Sequence, residues 1–248
     1  MPYTMTVSPD FKPDLVSGWY IFNTWLQKTL GEAIHLELVN DFRELGTMVD
    51  KDAIDLVYAN PFDMTKLIRE KGFTPLAKPV GKVDEAIIIT CADSEVSAVE
   101  ALQPGLVAAV TDTPDVNMVG VMMLESADIY AGDIDMLHCS NHVTVAKKVI
   151  QGEAQVGFIL ADAYDELSSL VKKQIRALMR SRIELLHHTL LAGPALAEKS
   201  DAIRQALLSL HRDEKGRALL DSLAFEQWTL MENEEAEFMI DLMDTLQS

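Results

Sequence analysis

Apolar and polar positions along this chain switch repeatedly between a period of two and a period near 3.6. "YTMTVSP" alternates and stops at Ser-Pro, as a short strand does. In "PDLVSGWYIFNTWLQKTLG", Leu15, Trp19, Phe22 and Leu26 recur at helical spacing, with a Pro at the start and Gly31 at the end. "AIHLELV" reads as a strand and "FRELGTMVD" as a helix. "AIDLVYA" reads as an apolar strand that breaks at Asn60-Pro61, and "FDMTKLIREKG" as a helix closed by Gly72.

The second half continues the alternation. "EAIIITCA" is a long β-branched run, and "DSEVSAVEALQPG" is expected to be a helix opening with Asp and Ser. "LVAAVT", "DIDMLHC" and "AQVGFIL" read as strands, separated by helices at "PDVNMVGVMMLESA" and "NHVTVAKKVIQG". The pattern turns extended again through "IRALMRSRIELLHHTLLAGPAL", and from about Ser200 onward it is helical. Strand alternating with helix predicts an α/β fold with mostly parallel sheet. No internal sequence repeat and no low-complexity linker interrupts it.

Composition narrows the class. At 248 residues, 48% hydrophobic and 24% charged, the chain can bury a large core in one or two domains. No apolar run is long enough to span a bilayer. A net charge of −18 argues against a nucleic-acid surface, which needs clustered Lys and Arg. Much of that charge lies in "MENEEAEFMIDLMD", which reads as a solvated helix face. Two cysteines, Cys91 and Cys139, are too few for a disulfide framework. The opening "MPYTMTVSPDF" lacks a basic stretch followed by an apolar one. The expected compartment is therefore cytoplasmic if Met1 is the native start, and periplasmic if a leader has been removed.

The stretch "LHCSNHV" concentrates chemistry-bearing residues. A metal needs three or four correctly aimed ligands, and His138, Cys139 and His142 straddle a strand-to-helix break. The expectation is a capped helix start, with Ser140 or Asn141 as the cap and no metal or other cofactor. A Cys139–His138 nucleophile pair is disfavoured, because sequence neighbours on one strand point to opposite faces. The chain has no Gly-x-Ser-x-Gly elbow, no phosphate loop, no Gly-x-Gly-x-x-Gly and no His-Glu-x-x-His, so it reads as a non-enzyme.

Five segments resemble, in order, the phosphate/phosphite/phosphonate-binding group of ABC-transporter substrate-binding proteins. They are "SPDFKPDLVSGWYIFNTWLQKTLG", "AIDLVYANPFDMTKLIREKGFTPLAKP", "EAIIITCADSEVSAVEALQPGLVAAV", "NHVTVAKKVIQGEAQVGF" and "EKGRALLDSLAFEQW". The resemblance implies a two-lobed periplasmic-binding-protein-like fold of type II, each lobe a mixed, mostly parallel sheet flanked by helices, with a ligand cleft at the hinge. It places lobe one at residues 1–89 and 181–248, and lobe two at 90–180. It implies a monomer that binds a small polar or anionic ligand, phosphonate- or phosphate-like or zwitterionic, and serves an ABC permease or a sensor protein. The alternative is an enzyme on the same fold acting on a small metabolite in the cleft.

In open α/β sheets ligands bind beyond the carboxyl ends of the strands, where helix N-termini present free N–H groups. His142 falls on a His that lies at the ligand in the family, with Asn141 beside it. Tyr58 and Asn60 occupy a turn that supplies an aromatic ligand contact, and Ser8 and Phe11 lie in the first such turn. For Tyr58 and Phe11 the competing reading is a packed aromatic. Where the family carries Ser-Thr-Ser-Gly at a helix start, this chain reads Thr113-Pro114-Asp115-Val116. Thr113 keeps a hydroxyl, Pro114 removes a donor, and Asp115 places a carboxylate where an anion would sit. Asp115 is expected either to pair with an amine on the ligand or to face solvent as a helix N-terminal charge.

Overall fold

A computed structural model describes residues 2–247. In chain order the regular elements are β1 (Tyr3–Val7), α1 (Val16–Leu30), β2 (Ile34–Leu36), α2 (Phe42–Asp50), β3 (Leu56–Ala59), β4 (Thr74–Pro79), β5 (Ala86–Cys91), β6 (Leu106–Val110), α3 (Pro114–Leu124), β7 (Ile134–His138), α4 (His142–Ile150), β8 (Val156–Leu160), α5 (Ala161–Glu166), α6 (Ser169–Lys172), β9 (Ile175–Arg180), β10 (Thr189–Ala192), α7 (Ser200–Ser209), α8 (Glu214–Ser222), β11 (Trp228–Leu230) and α9 (Asn233–Gln247). No helix among the described residues is long and apolar enough to cross a membrane.

The chain divides into two compact units. Among the described residues, one comprises 2–83 and 187–244, and the other 84–186 and 245–247. The resemblance places the crossings at 89–90 and 180–181. They fall about six residues outward at each crossing, because β5 pairs along its length with both β8 and β9 and so belongs wholly to the second unit.

The first unit holds a six-stranded sheet in the order β11-β4-β10-β3-β1-β2. β1 runs parallel to β2 and β3, whereas β10 is antiparallel to β3 and β4, and β11 to β4. The second unit holds five strands in the order β7-β6-β8-β5-β9, with β6 parallel to β7 and β8 and the remaining pairs antiparallel. Both sheets are thus mixed, and their parallel parts share one topology. A first strand (β1 or β6) is flanked by the next strand on one side and the third on the other, with helices making the crossovers. This is a structural repeat that the sequence does not display as identity.

Local chemistry accounts for the element ends. α2 starts where the Asp41 carboxylate accepts from the Glu44 N–H at 2.7 Å, while Glu44 reaches back to the Asn40 N–H at 2.8 Å. α8 is capped the same way by Asp213, which accepts from the Gly216 N–H at 2.7 Å. α1 ends at Gly31, whose φ of 68° is a left-handed conformation that costs glycine nothing.

The first unit's core gathers Met5, Val7, Trp19, Phe22, Leu26, Leu56, Leu190 and Trp228, with Phe11 packed at its edge. Its centre is aromatic: Trp19 lies 4.9 Å from Tyr58, and Phe225 lies 5.2 Å from Trp228, ring centroid to centroid. The second unit's core is aliphatic, built from Ile87, Ile89, Val145, Val149 and Ile159.

Several expectations are corrected. The helix expected at "DSEVSAVEALQPG" is a loop with one turn of 3-10 helix at Val99–Ala101. The Arg176 guanidinium donates to the carbonyls of Ala92, Ser94 and Val96 at 2.8–3.2 Å, which engages the groups a helix would have used. Residues 65–70 form a wide π-type turn rather than a regular helix. The helical C-terminal stretch is interrupted by β11. The acidic last helix is only partly solvated. Ala236, Met239, Ile240 and Met243 are buried, and Arg69 holds Glu237, Asp241 and Asp244 at 2.6–2.9 Å.

Candidate ligand site

In each unit the strand order reverses beside the first strand, between β1 and β3 and between β6 and β8. In open α/β sheets such a reversal is where ligands bind, beyond the carboxyl ends of the strands.

In the first unit this end is a connected polar cluster. The Ser8 N–H donates to the Tyr58 carbonyl at 2.9 Å, and the Asn60 N–H donates to Ser8 Oγ at 2.9 Å. The Asn60 side-chain Oδ1 accepts from the Phe62 N–H, and its Nδ2 donates to Asp10 Oδ2, both at 2.8 Å. Asp10 is in turn bridged by His188, whose Nε2 lies 3.2 and 3.1 Å from the two carboxylate oxygens. The His188 ring stacks on Tyr58 at 5.3 Å. Ser8, Tyr58 and Asn60 are therefore brought together, with the Tyr58 ring buried in the aromatic core. Phe11 instead joins the core edge.

Two carboxylates here titrate abnormally. Burial alone would raise Asp10, but the His188 charge and hydrogen bond, with the Asn60 amide, outweigh it and leave Asp10 below the ordinary carboxylate range. Asp63, three residues after Asn60, is pushed up to about 7, first by burial and then by the neighbouring Asp10 charge, against a smaller opposing pull from His188 and Lys66. Its Oδ2 is sealed from solvent and has no hydrogen-bond partner.

In the second unit, β6 and β7 end side by side, with the Cys139 N–H donating to the Val110 carbonyl at 2.8 Å. α3 and α4 start from these ends. Thr113 is the residue before α3, and its Oγ1 lies 3.0 Å from Thr111 Oγ1 rather than capping the helix. Asn117 closes the turn by donating to the Thr111 carbonyl at 2.7 Å. Asp115 is only 1% exposed, which excludes the solvent-facing alternative. Asn141 caps α4, accepting from the Thr144 N–H at 2.8 Å, and leaves His142 as the first helical residue, half-buried. His138 is exposed and pairs with Asp112 at 2.8 Å. Burial pushes the Cys139 thiol up, so it is not a poised thiolate. Among the described residues no group of three His, Cys, Asp or Glu side chains could hold a metal ion.

Asp10, Asp63 and His188 escaped the sequence reading. The first two sit in the strand-to-helix turns "SPDF" and "NPFD". His188 sits in "LLHHTLL", where a histidine pair inside an apolar strand was the available signal.

This architecture, two α/β units each with polar side chains at a switch point, defines the class of ABC-transporter substrate-binding folds. The solved structure of PhnD1 from Prochlorococcus marinus (MIT 9301) in complex with methylphosphonate matches it with a TM-score of 0.82 at 12% identity, over 99% of this chain and 98% of that one. XAC2383 from Xanthomonas citri, solved with ATP, matches with a TM-score of 0.81 at 13% identity, over 99% and 96%. The periplasmic aliphatic sulphonate binding protein SsuA from Escherichia coli matches with a TM-score of 0.68 at 16% identity, over 99% and 86%. No curated protein matches the chain significantly in sequence. Residues 5–236 match the family described as "ABC transporter, phosphonate, periplasmic substrate-binding protein", and the chain belongs to that family.

Proposed function

We propose that the chain captures a small oxoacid solute, phosphonate-like or zwitterionic, without altering it. It then delivers the solute to an ABC permease or reports it to a sensor protein, and acts as a monomer. The observation that carries this reading is the collection of polar side chains at the switch point of each unit, where α/β sheets bind ligands. Ser8, Tyr58 and Asn60 do so in the first unit, and Thr113, Asp115, Asn141 and His142 in the second. Solved relatives that hold methylphosphonate or bind aliphatic sulphonates support an oxoacid. The buried Asp115 carboxylate favours ligands that also carry a positive group, since an unneutralised anion beside it would cost several kcal/mol.

The test is native mass spectrometry of gently purified protein, followed by calorimetry with methylphosphonate, phosphate, ethanesulfonate and an aminoalkylphosphonate. The expected result is a retained or added oxoacid that leaves the protein chemically unchanged. Steady conversion of the solute would establish the enzymatic alternative, and no binding of any probe would overturn the oxoacid assignment.

A further inference from the structure

We infer that the open groove between α1 and α8 receives an amphipathic helix of a partner protein, one whose apolar stripe ends in carboxylates. The groove belongs wholly to the first unit, and no residue of the candidate oxoacid site lines it. Its volume is about 710 Å³, and its walls include Tyr20, Ile21, Trp25 and Lys28 of α1 and Lys215 and Ala218 of α8. Tyr20 and Ile21 are 52% and 51% exposed, and Trp25 stands about one turn farther along the same face. The apolar area is therefore one patch rather than scattered single side chains. The Thr24 hydroxyl in the groove donates to the Tyr20 carbonyl of its own helix at 2.9 Å, so its hydrogen is already spent.

The charges around this trough are of one sign. α1 carries no carboxylate along its 15 residues, in a chain with 39 acidic ones. The acids of α8, Glu214 and Asp221, do not line the groove, whose charged residues are Lys28 and Lys215. Among the described residues no carboxylate pairs with either lysine. Gly18 meets Ser222, whereas Lys28 and Lys215 share the groove, so the two helices run antiparallel. Both ammonium groups thus fall at the end away from that crossing.

This form selects the occupant. A trough between two antiparallel helices is the shape a third helix fills, laying side chains at i, i+3, i+4 and i+7 between theirs. From Tyr20 to Lys28, α1 runs about 12 Å, a little over two helical turns, which is the length of one such stripe. Two cations at one end fix its direction, because the partner's acidic end must lie there. They are too few for a nucleic-acid backbone. A bilayer is met by a projecting apolar face rather than a trough. A second copy of this chain offers α9, but that helix exposes one large apolar side chain, Phe238, and Arg69 already holds Glu237 and Asp241 beside it.

The probe is a stapled synthetic helix with leucine along one face and glutamate over its final turns, set against an isomer with lysine for glutamate. Calorimetry with the whole chain should show saturable one-to-one binding of the glutamate helix, about tenfold tighter than the lysine isomer and weaker as salt rises. Ile21→Asp should abolish binding. Lys28→Glu combined with Lys215→Glu should reverse the preference between the two helices. All three side chains are exposed, so each variant should keep its melting temperature. Equal affinity for both helices, no binding of the glutamate helix, or binding that survives Ile21→Asp would overturn the inference. Two other outcomes would also overturn it. Adsorption to phosphatidylglycerol vesicles that Ile21→Asp removes would assign the face to a membrane, and a sedimenting dimer that Ile21→Asp dissociates would assign it to a second copy.

Discussion

Gly18 lies on the buried side of α1, where that helix crosses the end of α8. A Cβ built there would stand 2.1 Å from the Ser222 carbonyl oxygen, 2.8 Å from its carbon and 3.1 Å from Leu223 Cδ2. Ordinary contact begins near 3.4 Å, so the backbone of α8 must retreat by more than 1 Å to admit one methyl group. Two effects oppose each other in Gly18→Ala. Alanine gains about 1 kcal/mol of helix propensity over glycine. Overpacking against a neighbour that is backbone, not a flexible side chain, costs about 1–3 kcal/mol. The clash is with backbone and sets the sign, and the expected net loss is up to about 2 kcal/mol, or up to roughly 8 °C in midpoint for a chain of this size.

The assay is urea or thermal unfolding followed by tryptophan fluorescence. The chain's three tryptophans, Trp19, Trp25 and Trp228, all belong to the first unit and report it selectively. A midpoint that rises by the propensity gain would refute the close approach of α1 and α8.

Three further outcomes are expected. Asp63 binds its proton more tightly in the folded chain than in the unfolded one, so its ionisation costs stability. That penalty is absent below about pH 4, grows as pH rises, and levels off above about 7 at up to roughly 4 kcal/mol. Asp63→Asn should therefore narrow the gap in melting temperature between pH 5 and pH 8, and an unchanged gap would show that the carboxyl titrates normally. His142→Ala should weaken binding of the retained solute by about 1–3 kcal/mol while leaving the melting temperature nearly unchanged, whereas a lower melting temperature with full affinity would make the histidine structural. Asp115→Ser should improve binding of methylphosphonate in calorimetry, less so at high salt, and no change at any salt would separate Asp115 from the ligand.

Much of the fold was legible because each α/β crossover carries its own signal. α1 was set by the spacing of Trp19, Phe22 and Leu26 and by Gly31, and α4 by the Asn141 cap. What escaped depends on tertiary partners. β4 carries Pro75 and Pro79, which argue against an interior strand, yet it lies between β10 and β11. The ladder accommodates this with a register shift at Leu190/Leu191, opposite Pro75. The loop at residues 92–98 has helical composition, but Arg176, some 80 residues later, engages its carbonyls.

The candidate site divides in the same way. Ser8, Tyr58, Asn60, Thr113 and His142 sit at strand-to-helix transitions that the sequence marks. The cluster of Asp10, Asn60 and His188 joins positions separated by 50 and 178 residues, which no local pattern could reveal. Asp115 could be placed at a helix start from sequence, but its burial could not.

The strand order of the first unit also fixes the sequence of events during synthesis. β4 has no partner among β1 to β3, and it joins the sheet only through β10 and β11. Residues 1–83 therefore leave the nascent chain as a three-stranded fragment with an open β3 edge, while residues 84–186 follow as an uninterrupted unit that can close first. Until Thr189–Ala192 inserts between β3 and β4, the apolar edge Leu56–Ala59 is an unpaired template for other chains. Interrupted translation or C-terminal truncation before β10 would thus release a molecule with a folded middle and an aggregation-prone beginning.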